Sequence, residues 1–466
     1  MTVPAEDIDD SNDVFSEQLS VESENIMAQT QDPHAMGENI TECSAFMNVI
    51  KANVGTGILT MPMVFNYVGI WLGLVMILSA GFLATYCMKL LLVVSNEVSE
   101  ENELDQAKMD YTETVFNVFK YGPRPLRKPK GKIKHTVNAF LIVTQIGFCC
   151  VYILFLSQTI QTMLKEWAPH LNRSTFLIGF VVSLVLTPFT MITDLSKFSI
   201  PATMANVATL IALLLIFIYC LVVGEMKPWQ ELQQPMGFRQ FLIAFSIVIF
   251  AFEGISLVLP IRNKMKHPEF FLRRNGSLYM GMFLVCSTCT LLGWFGYFRF
   301  GKDIEPSIAY NIPESPIWVA FVKPLLVFYI LVTYILQFYV PASIFGRLME
   351  KIPRHRNADP AIKKWNLRIM RIASVYLIYG LAMIIPHLDL LLSLIGALCS
   401  SVLAIILPPM LVLVHKWPSR HVIDKFNLRY LFPMTALIVI GILAFVGGTV
   451  ATIMQLIDVY SPTYTE

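Results

Sequence analysis

The sequence predicts an all-α membrane protein with eleven transmembrane helices. Only 15% of its 466 residues are charged and 55% are apolar, whereas about a quarter of the residues in a soluble domain carry charge. The charged residues lie in short islands between apolar stretches of about 20 residues, each long enough to cross the ~30 Å hydrocarbon core. Two of these stretches, the first and the sixth, contain glycine beside polar residues, which indicates helices that are broken within the membrane.

The chain divides into three segments. Residues 1–41 hold ten acidic residues and no Lys or Arg, so we expect a disordered, acidic cytoplasmic tail that cannot bury a core. No charged region followed by a short apolar run precedes the first span, so that span is expected to direct insertion. Residues 42–460 form the eleven-span domain, and residues 461–466 form a short external or lumenal tail.

The eleven spans are placed by apolar runs, and their orientation by the loops between them. Lys and Arg number 25 in one set of loops and 6 in the alternate set, a bias that predicts a cytoplasmic N-terminus and an external or lumenal C-terminus. The predicted spans 1 to 11 cover residues 43–67, 70–95, 137–163, 176–192, 201–223, 239–261, 278–298, 316–343, 369–386, 390–413 and 432–457. Of the sequons at Asn39, Asn172 and Asn275, only Asn172 falls on the external side, so it is the predicted glycosylation site.

Span 1 has a glycine pair near its middle, within the run Asn53-Val54-Gly55-Thr56-Gly57. We expect the helix to unwind there and to restart near Pro62, because proline suits the first turn of a helix. Unwinding frees backbone N–H groups at the positive end of a half-helix, where they can hold a carboxylate. The alternative is close helix packing by small residues.

Span 6 carries a carboxylate next to a glycine, Glu253-Gly254, with Pro260 about two turns later. An acidic group inside a membrane is costly and is functional by default, although Glu253 could instead cap the broken backbone. Spans 1–5 and 6–10 then form two five-helix repeats of opposite orientation, and paired interruptions in corresponding spans predict a transporter site. The freed N–H groups suit a carboxylate and the freed carbonyls suit an ammonium group, which an amino acid carries together.

Polar residues in two other spans are further candidates for the lining of this site. Gln145 and Tyr152 share one face of span 3, and Lys323 lies in span 8. Ordinary packing is the alternative for the span 3 pair. Snorkelling of the ammonium group to the interface, or an ion pair, is the alternative for Lys323.

Five runs of residues resemble the amino acid/auxin permease family, and within it the proton-assisted amino acid transporters. They are residues 51–62, 143–152, 250–268, 333–341 and 393–401, the last followed by Pro408-Pro409. The resemblance implies an amino-acid permease fold of the LeuT-like type, with broken helices 1 and 6 and two inverted repeats. It also implies transport of small neutral amino acids such as glycine, alanine and proline, coupled to protons.

By this resemblance Gly55, Thr56 and Gly57 hold the α-carboxylate, and residues 252–254 face the amino group and the side chain. The full substrate-binding set is Asn53, Val54, Gly55, Thr56, Gly57, Phe252, Glu253 and Gly254. The chain departs from the family at Ala52, Arg262 and Asn48, where glycine, an acidic residue and histidine are common. Asn48 cannot titrate, so either coupling is weak or Glu253 carries the proton.

The sequence favours transport over other functions. A receptor that binds an amino acid and signals with little flux is the main alternative, and a uniporter or exchanger is another. We find no metal-binding His pair within a span, no nucleophile with a base and no nucleotide-binding loop, so an enzyme is not expected and no cofactor is predicted. The expected partners are an amino acid, protons and the lipid bilayer, in the plasma membrane or an endosomal or lysosomal membrane.

Overall fold

The computed structural model describes residues 40–127, 130–171, 173–192, 199–222, 226–228, 232, 237–312, 320–350, 359–421 and 426–461. Nearly all of the predicted acidic tail, the last five residues and Asn172 therefore lie outside the described residues. Within them every regular element is a helix, and the one β-bridge is an isolated pairing between Ile40 and Met265. This agrees with the predicted all-α class.

The long helices occupy the predicted spans in order. Span 1 consists of Glu42–Asn53, Thr56–Leu59 and Met61–Val68, and span 6 of Phe238–Ala251 and Ile255–Asn263. Span 10 consists of Leu388–Ile395, a π-helix at Gly396–Ile406, and Leu407–Lys416. The other spans are single helices: Ile70–Glu101 (span 2), Lys130–Trp167 (span 3), Thr175–Thr190 (span 4), Ser199–Val222 (span 5), Ser277–Phe300 (span 7), Val322–Glu350 (span 8), Pro360–Ile384 (span 9) and Phe432–Tyr460 (span 11).

Nine helices in the described residues are long and apolar enough to cross a membrane. The two predicted spans outside this set are span 1, whose pieces are each too short, and span 4, an apolar helix of 16 residues. The count of eleven therefore stays a prediction. Spans 6 and 10 are the most buried of the nine, and spans 9 and 11 are the most exposed, so the broken span 6 lies at the centre of the bundle.

Several contacts identify one end of the bundle, which we call the Ile40 end. The Ile40 N–H donates to the Lys264 carbonyl at 2.8 Å, so the start of span 1 lies beside the end of span 6. The Asn263 amide donates to the Met109 carbonyl at 2.8 Å and brings the segment after span 2 to the same place. Span 3 starts at this end and finishes at Trp167. We therefore call the opposite end of the bundle the Trp167 end.

A helix that the span prediction did not include, Tyr111–Tyr121, packs at the Ile40 end. The Tyr111 hydroxyl donates to the Leu403 carbonyl of span 10 at 2.6 Å. The Lys134 ammonium group lies 3.2 Å from a Glu113 carboxylate oxygen, with both side chains largely buried. Because this ion pair gives the basic segment before span 3 a partner, span 3 begins at residue 130 rather than near the predicted 137.

Candidate functional site

The breaks in spans 1 and 6 lie against each other. A Cβ added to Gly57 would lie 2.9 Å from both the Cα and the Cβ of Ala251. A Cβ added to Gly254 would lie 2.5 Å from the side-chain nitrogen of Asn53. Both glycines therefore allow the two broken helices to approach more closely than side chains would permit.

A cavity opens at this contact, between spans 1, 3, 6 and 8. It contains about 750 Å³ of empty space when its open mouth is included. Its lining combines exposed backbone at the two breaks with aromatic and amide side chains on the opposite walls. The lining residues are Lys51, Ala52, Asn53, Val54, Gly55, Thr56, Gly57, Gln145, Phe148, Tyr152, Phe250, Ala251, Glu253, Ser256, Leu257, Tyr329, Thr333 and Gln337.

The break in span 1 supplies hydrogen-bond donors. Helix Glu42–Asn53 ends, Val54 and Gly55 are extended, and a new helix starts at Thr56. No side chain caps this new helix, and the first N–H groups of a helix have no partner within it. Pro62 lies in the first turn of the following piece, Met61–Val68, as the sequence predicted. The N–H groups of Thr56 and Gly57 are therefore available to an anion at the cavity wall.

The same break supplies oxygen acceptors. Asn53 is 4% exposed and its side-chain nitrogen donates to the Val49 carbonyl at 2.9 Å. Its side-chain oxygen is buried and accepts no hydrogen bond from the described residues. The neighbouring Val54 carbonyl, freed by the unwinding, accepts from the Tyr329 hydroxyl of span 8 at 3.0 Å. A buried amide oxygen without a donor costs free energy, so this position suits a ligand that brings a donor.

The break in span 6 places a carboxylate beside these acceptors. The chain turns tightly through residues 250–254, where the Gly254 N–H donates to the Phe252 carbonyl at 3.0 Å. Glu253 is 8% exposed, lines the cavity and accepts a hydrogen bond from the Ser400 hydroxyl. Ser400 belongs to the π-helix of span 10, and π-helical turns are frequent at functional sites. Among the carboxylates of the described residues, Glu253 alone lines the cavity.

Spans 3 and 8 form the opposite wall. The Gln337 side-chain nitrogen donates to the Gln145 side-chain oxygen, which joins the two helices across the cavity. The Phe148 ring lies 5.2 Å from the Phe250 ring and 6.5 Å from the Tyr152 ring, measured between centroids. Phe148 and Tyr152 therefore limit the cavity on the span 3 wall, and Phe250 limits it beside the break in span 6.

The cavity is open toward the Ile40 end and closed toward the Trp167 end. Along span 1 its lining runs back from Gly57 to Lys51 and does not pass beyond Gly57. Beyond the cavity, Tyr67 at the end of span 1 donates a hydrogen bond to the buried Asp389 carboxylate of span 10. The short helix Ile308–Asn311 is also packed there, with a side chain 5.8 Å from the Phe155 ring.

Eight of the predicted site residues line the cavity: Asn53, Val54, Gly55, Thr56, Gly57, Gln145, Tyr152 and Glu253. Phe252 and Gly254 do not. The turn directs the Phe252 ring toward span 2, where it would lie 3.4 Å from a Cβ on Gly81, and Gly254 serves to accommodate Asn53. Both belong to the support of the site rather than to its surface.

Lys323 lies apart from the other candidates. Its ammonium group lies 3.2 Å from a Glu166 carboxylate oxygen at the Trp167 end, outside the cavity lining. The ion pair that the sequence left as an alternative is therefore the arrangement observed. Asn48, the position considered for coupling, is half-buried one turn before Ala52, on the face of the helix that leads into the cavity mouth.

Sequence reasoning missed the contribution of span 8. Tyr329, Thr333 and Gln337 recur every four residues and form a polar stripe on one helix face. This spacing was visible in the sequence, but it does not show which face of a helix points to the cavity. The aromatic residues Phe148 and Phe250 were missed for the same reason.

Comparison with known proteins gives matches over most of the chain. Residues 38–454 match the family described as transmembrane amino acid transporter protein. The chain is 29% identical over 436 residues to the Proton-coupled amino acid transporter-like protein pathetic of Drosophila melanogaster, covering 92% of this chain and 89% of that protein. It is 26% identical over 439 residues to the Probable amino acid transporter skat-1 of Caenorhabditis elegans, covering 93% and 94%.

Among solved structures, a Na⁺-coupled sialic acid symporter in a substrate-bound outward-open state aligns with this chain. The TM-score is 0.45 at 12% identity, and the alignment covers 94% of this chain and 96% of that chain.

The match to the family extends from just before span 1 into span 11 and includes both breaks. The chain therefore belongs to the transmembrane amino acid transporter family, which is the amino acid/auxin permease family that its motifs resemble.

Proposed function

We propose that this protein is a secondary transporter that carries small neutral amino acids across a membrane by alternating access. One observation carries the proposal: two broken helices meet at a cavity where the span 1 break supplies both N–H donors and a buried oxygen acceptor, and the span 6 break adds a carboxylate. This pattern matches the two charges of an amino acid, and a half-helix N-terminus stabilises an anion.

The donors and acceptors define the orientation of the substrate. The α-carboxylate is held by the N–H groups of Thr56 and Gly57. The ammonium group donates to the Asn53 side-chain oxygen, the acceptor without a donor in the structure. Glu253 balances the ammonium charge from the break in span 6, with its carboxylate fixed by Ser400.

The walls favour a small side chain. Phe148 and Tyr152 limit the cavity on the span 3 wall, Phe250 limits it beside the span 6 break, and the Gln145–Gln337 pair crosses it. Glycine, alanine and proline add little volume and no charge beyond the backbone groups. A larger or charged side chain would require these rings or the amide pair to move, so we expect it to bind more weakly.

The cavity has one carboxylate and, at its mouth, an asparagine that cannot titrate. We therefore propose that transport is only weakly coupled to protons through position 48, and that any remaining coupling passes through Glu253. We further propose that the Ile40 end is cytoplasmic, because the loops at that end carry most of the Lys and Arg residues.

The test is uptake of labelled amino acids by proteoliposomes that contain the purified protein. We expect saturable uptake of glycine, alanine and proline, with competition by alanine but not by N-acetylalanine or alanine methyl ester, each of which lacks one charge. Competition by both blocked analogues would refute the proposed orientation. Tight alanine binding without measurable flux would instead establish the receptor alternative.

A further inference from the structure

A second concave surface lies on the outside of the bundle, between spans 3, 4 and 8. Its floor consists of buried apolar side chains, which include Leu156, Ile178, Val182 and Leu186. Its rim consists of apolar side chains that are about half exposed, among them Val181 at 50% and Val185 at 48%. We call this surface the span 3/4/8 groove. It contains about 750 Å³ of empty space.

One charged residue, Arg173, lines the groove, and it lies at the Trp167 end. Its position is fixed by span 3, because the Gln161 side-chain nitrogen donates to the Arg173 carbonyl at 2.9 Å. The Thr175 hydroxyl donates to the Gln161 side-chain oxygen at 2.7 Å, which holds the start of span 4 to the same side chain. The Arg173 guanidinium donates to the His170 carbonyl at 3.4 Å, and Ser174 caps the first turn of span 4. A guanidinium group has five N–H donors, so Arg173 places a positive charge with further donors at one end of an apolar groove.

The dimensions of the groove match half of a bilayer. From Leu156 to Leu164 the helix rises about 12 Å at ~1.5 Å per residue, while half of the hydrocarbon core is about 15 Å thick. A groove of this length that starts at the head groups, beside Arg173, would reach near the middle of the membrane. An apolar ligand with one anionic end fits this arrangement, and a phospholipid has both properties.

We propose that the span 3/4/8 groove holds one acyl chain of an anionic phospholipid, whose phosphate is bound by Arg173. This site is separate from the amino acid cavity and does not depend on the proposed transport. It lies directly behind that cavity, since Leu156 is one turn from Tyr152 and Leu331 lies between Tyr329 and Thr333. The lipid therefore packs against the two helices that form the far wall of the cavity.

The proposal is tested by photolabelling of the full chain in proteoliposomes. The probe is phosphatidylglycerol with a diazirine in one acyl chain, and the comparison lipid is a diacylglycerol with the same chains and no phosphate. We expect phosphatidylglycerol to label peptides that contain residues 156–164 or 177–186. The diacylglycerol should label them about tenfold less, because a charge-assisted hydrogen bond is lost.

Variants separate the roles of charge and shape. Arg173→Gln should lower the phosphatidylglycerol labelling about tenfold, and Arg173→Lys should retain most of it. Val181→Trp should fill the groove and abolish labelling there. Its matched control is Val446→Trp in span 11, where the valine is 52% exposed, and this control should leave labelling unchanged.

Three results would overturn the proposal. These are equal labelling of wild type and Arg173→Gln, equal labelling by the two lipids, or labelled peptides that lie only outside the groove. Cross-links between two copies of span 4 in the same membranes would also overturn it, because a second copy of the chain would then cover the groove. If Val181→Trp does not fold, the comparison of the two variants Arg173→Gln and Arg173→Lys decides the question alone.

Discussion

At the scale of single residues, the two glycines of span 1 have different roles. Gly55 has an extended backbone that any residue adopts, and an added Cβ would meet open space. Gly57 faces Ala251, so its missing side chain permits the contact between the two broken helices. The sequence treats the two glycines as equivalent, whereas in the structure a side chain has room at Gly55 and none at Gly57.

Valine substitutions test this difference. We expect Gly55→Val to reduce alanine uptake at least about tenfold, because the side chain occupies the space of the carboxylate, without lowering the thermal stability. Gly57→Val should abolish uptake and also destabilise the protein by about 1–3 kcal/mol through overpacking. Uptake and thermal unfolding of the purified variants are the measurements.

The matched control is Gly380→Val in span 9, where an added Cβ also meets open space but lies far from the cavity. It should transport normally. Wild-type uptake by Gly55→Val would remove the span 1 break from the binding site.

Position 48 allows a test of proton coupling. The wild type should change its uptake little when either side of the membrane is acidified from about pH 7.5 to about pH 5.5, because asparagine does not titrate. Asn48→His should introduce acid stimulation over this interval, since an unperturbed histidine has a pKa of about 6.5 and gains a proton as the pH falls.

The measurement is initial uptake in proteoliposomes with an imposed pH gradient. Steep acid stimulation and an inward current in the wild type would contradict weak coupling. If Glu253→Gln then removed the pH dependence while exchange continued, the proton would be assigned to span 6.

At the scale of helices, closure of the Trp167 end depends on contacts between span 1 and span 10. Tyr67 and Asp389 connect the piece Met61–Val68 to Leu388–Ile395, and Asp389 is 5% exposed. A buried carboxylate that loses its donor is costly. The hydrogen bond therefore stabilises the conformation in which the cavity opens only toward the Ile40 end.

Tyr67→Phe should loosen this closure. The loss of about 1–3 kcal/mol corresponds to roughly 5- to 150-fold more frequent opening. Hydrogen exchange followed by mass spectrometry should show faster exchange in residues 61–68, and Tyr376→Phe, at a half-buried position in span 9, should not. Unchanged exchange in Tyr67→Phe would mean that other contacts close this end.

The sequence predicted the helices better than the details within them. Apolar runs placed the spans because only a helix satisfies its backbone in lipid, and glycine beside polar residues revealed both breaks. The π-helix at Gly396–Ile406 was not predicted, because a shift of hydrogen bonds by one residue leaves no mark on composition. The direction of the Phe252 ring, toward span 2, could not be predicted because the rotation of a tight turn depends on the helices around it.

At the scale of the whole molecule, contacts show that segments far apart in the sequence lie at the same end of the bundle. Ile40 pairs with the Lys264 to Lys266 segment, and the Ser277 hydroxyl donates to the Glu42 carbonyl at 2.9 Å. The exposed Asn275 therefore lies on the same side of the membrane as the start of span 1. Arg173 and its neighbours after span 3 lie at the opposite end.

Glycosylation tests the predicted orientation. We expect any N-linked glycan to be on Asn172, so Asn172→Gln should remove the mobility shift that a glycosidase produces on a gel. Asn275→Gln is the matched control and should leave the shift unchanged. A glycan on Asn275 would invert the orientation of the entire bundle.

The most direct test of the central claim is a structure of the protein bound to alanine, determined by electron cryo-microscopy in lipid nanodiscs. We predict ligand density between the breaks of spans 1 and 6. Its carboxylate should lie within hydrogen-bonding distance of the Thr56 and Gly57 N–H groups, and its ammonium group beside the Asn53 side-chain oxygen. Alanine bound elsewhere, with this cavity holding only water, would contradict the account.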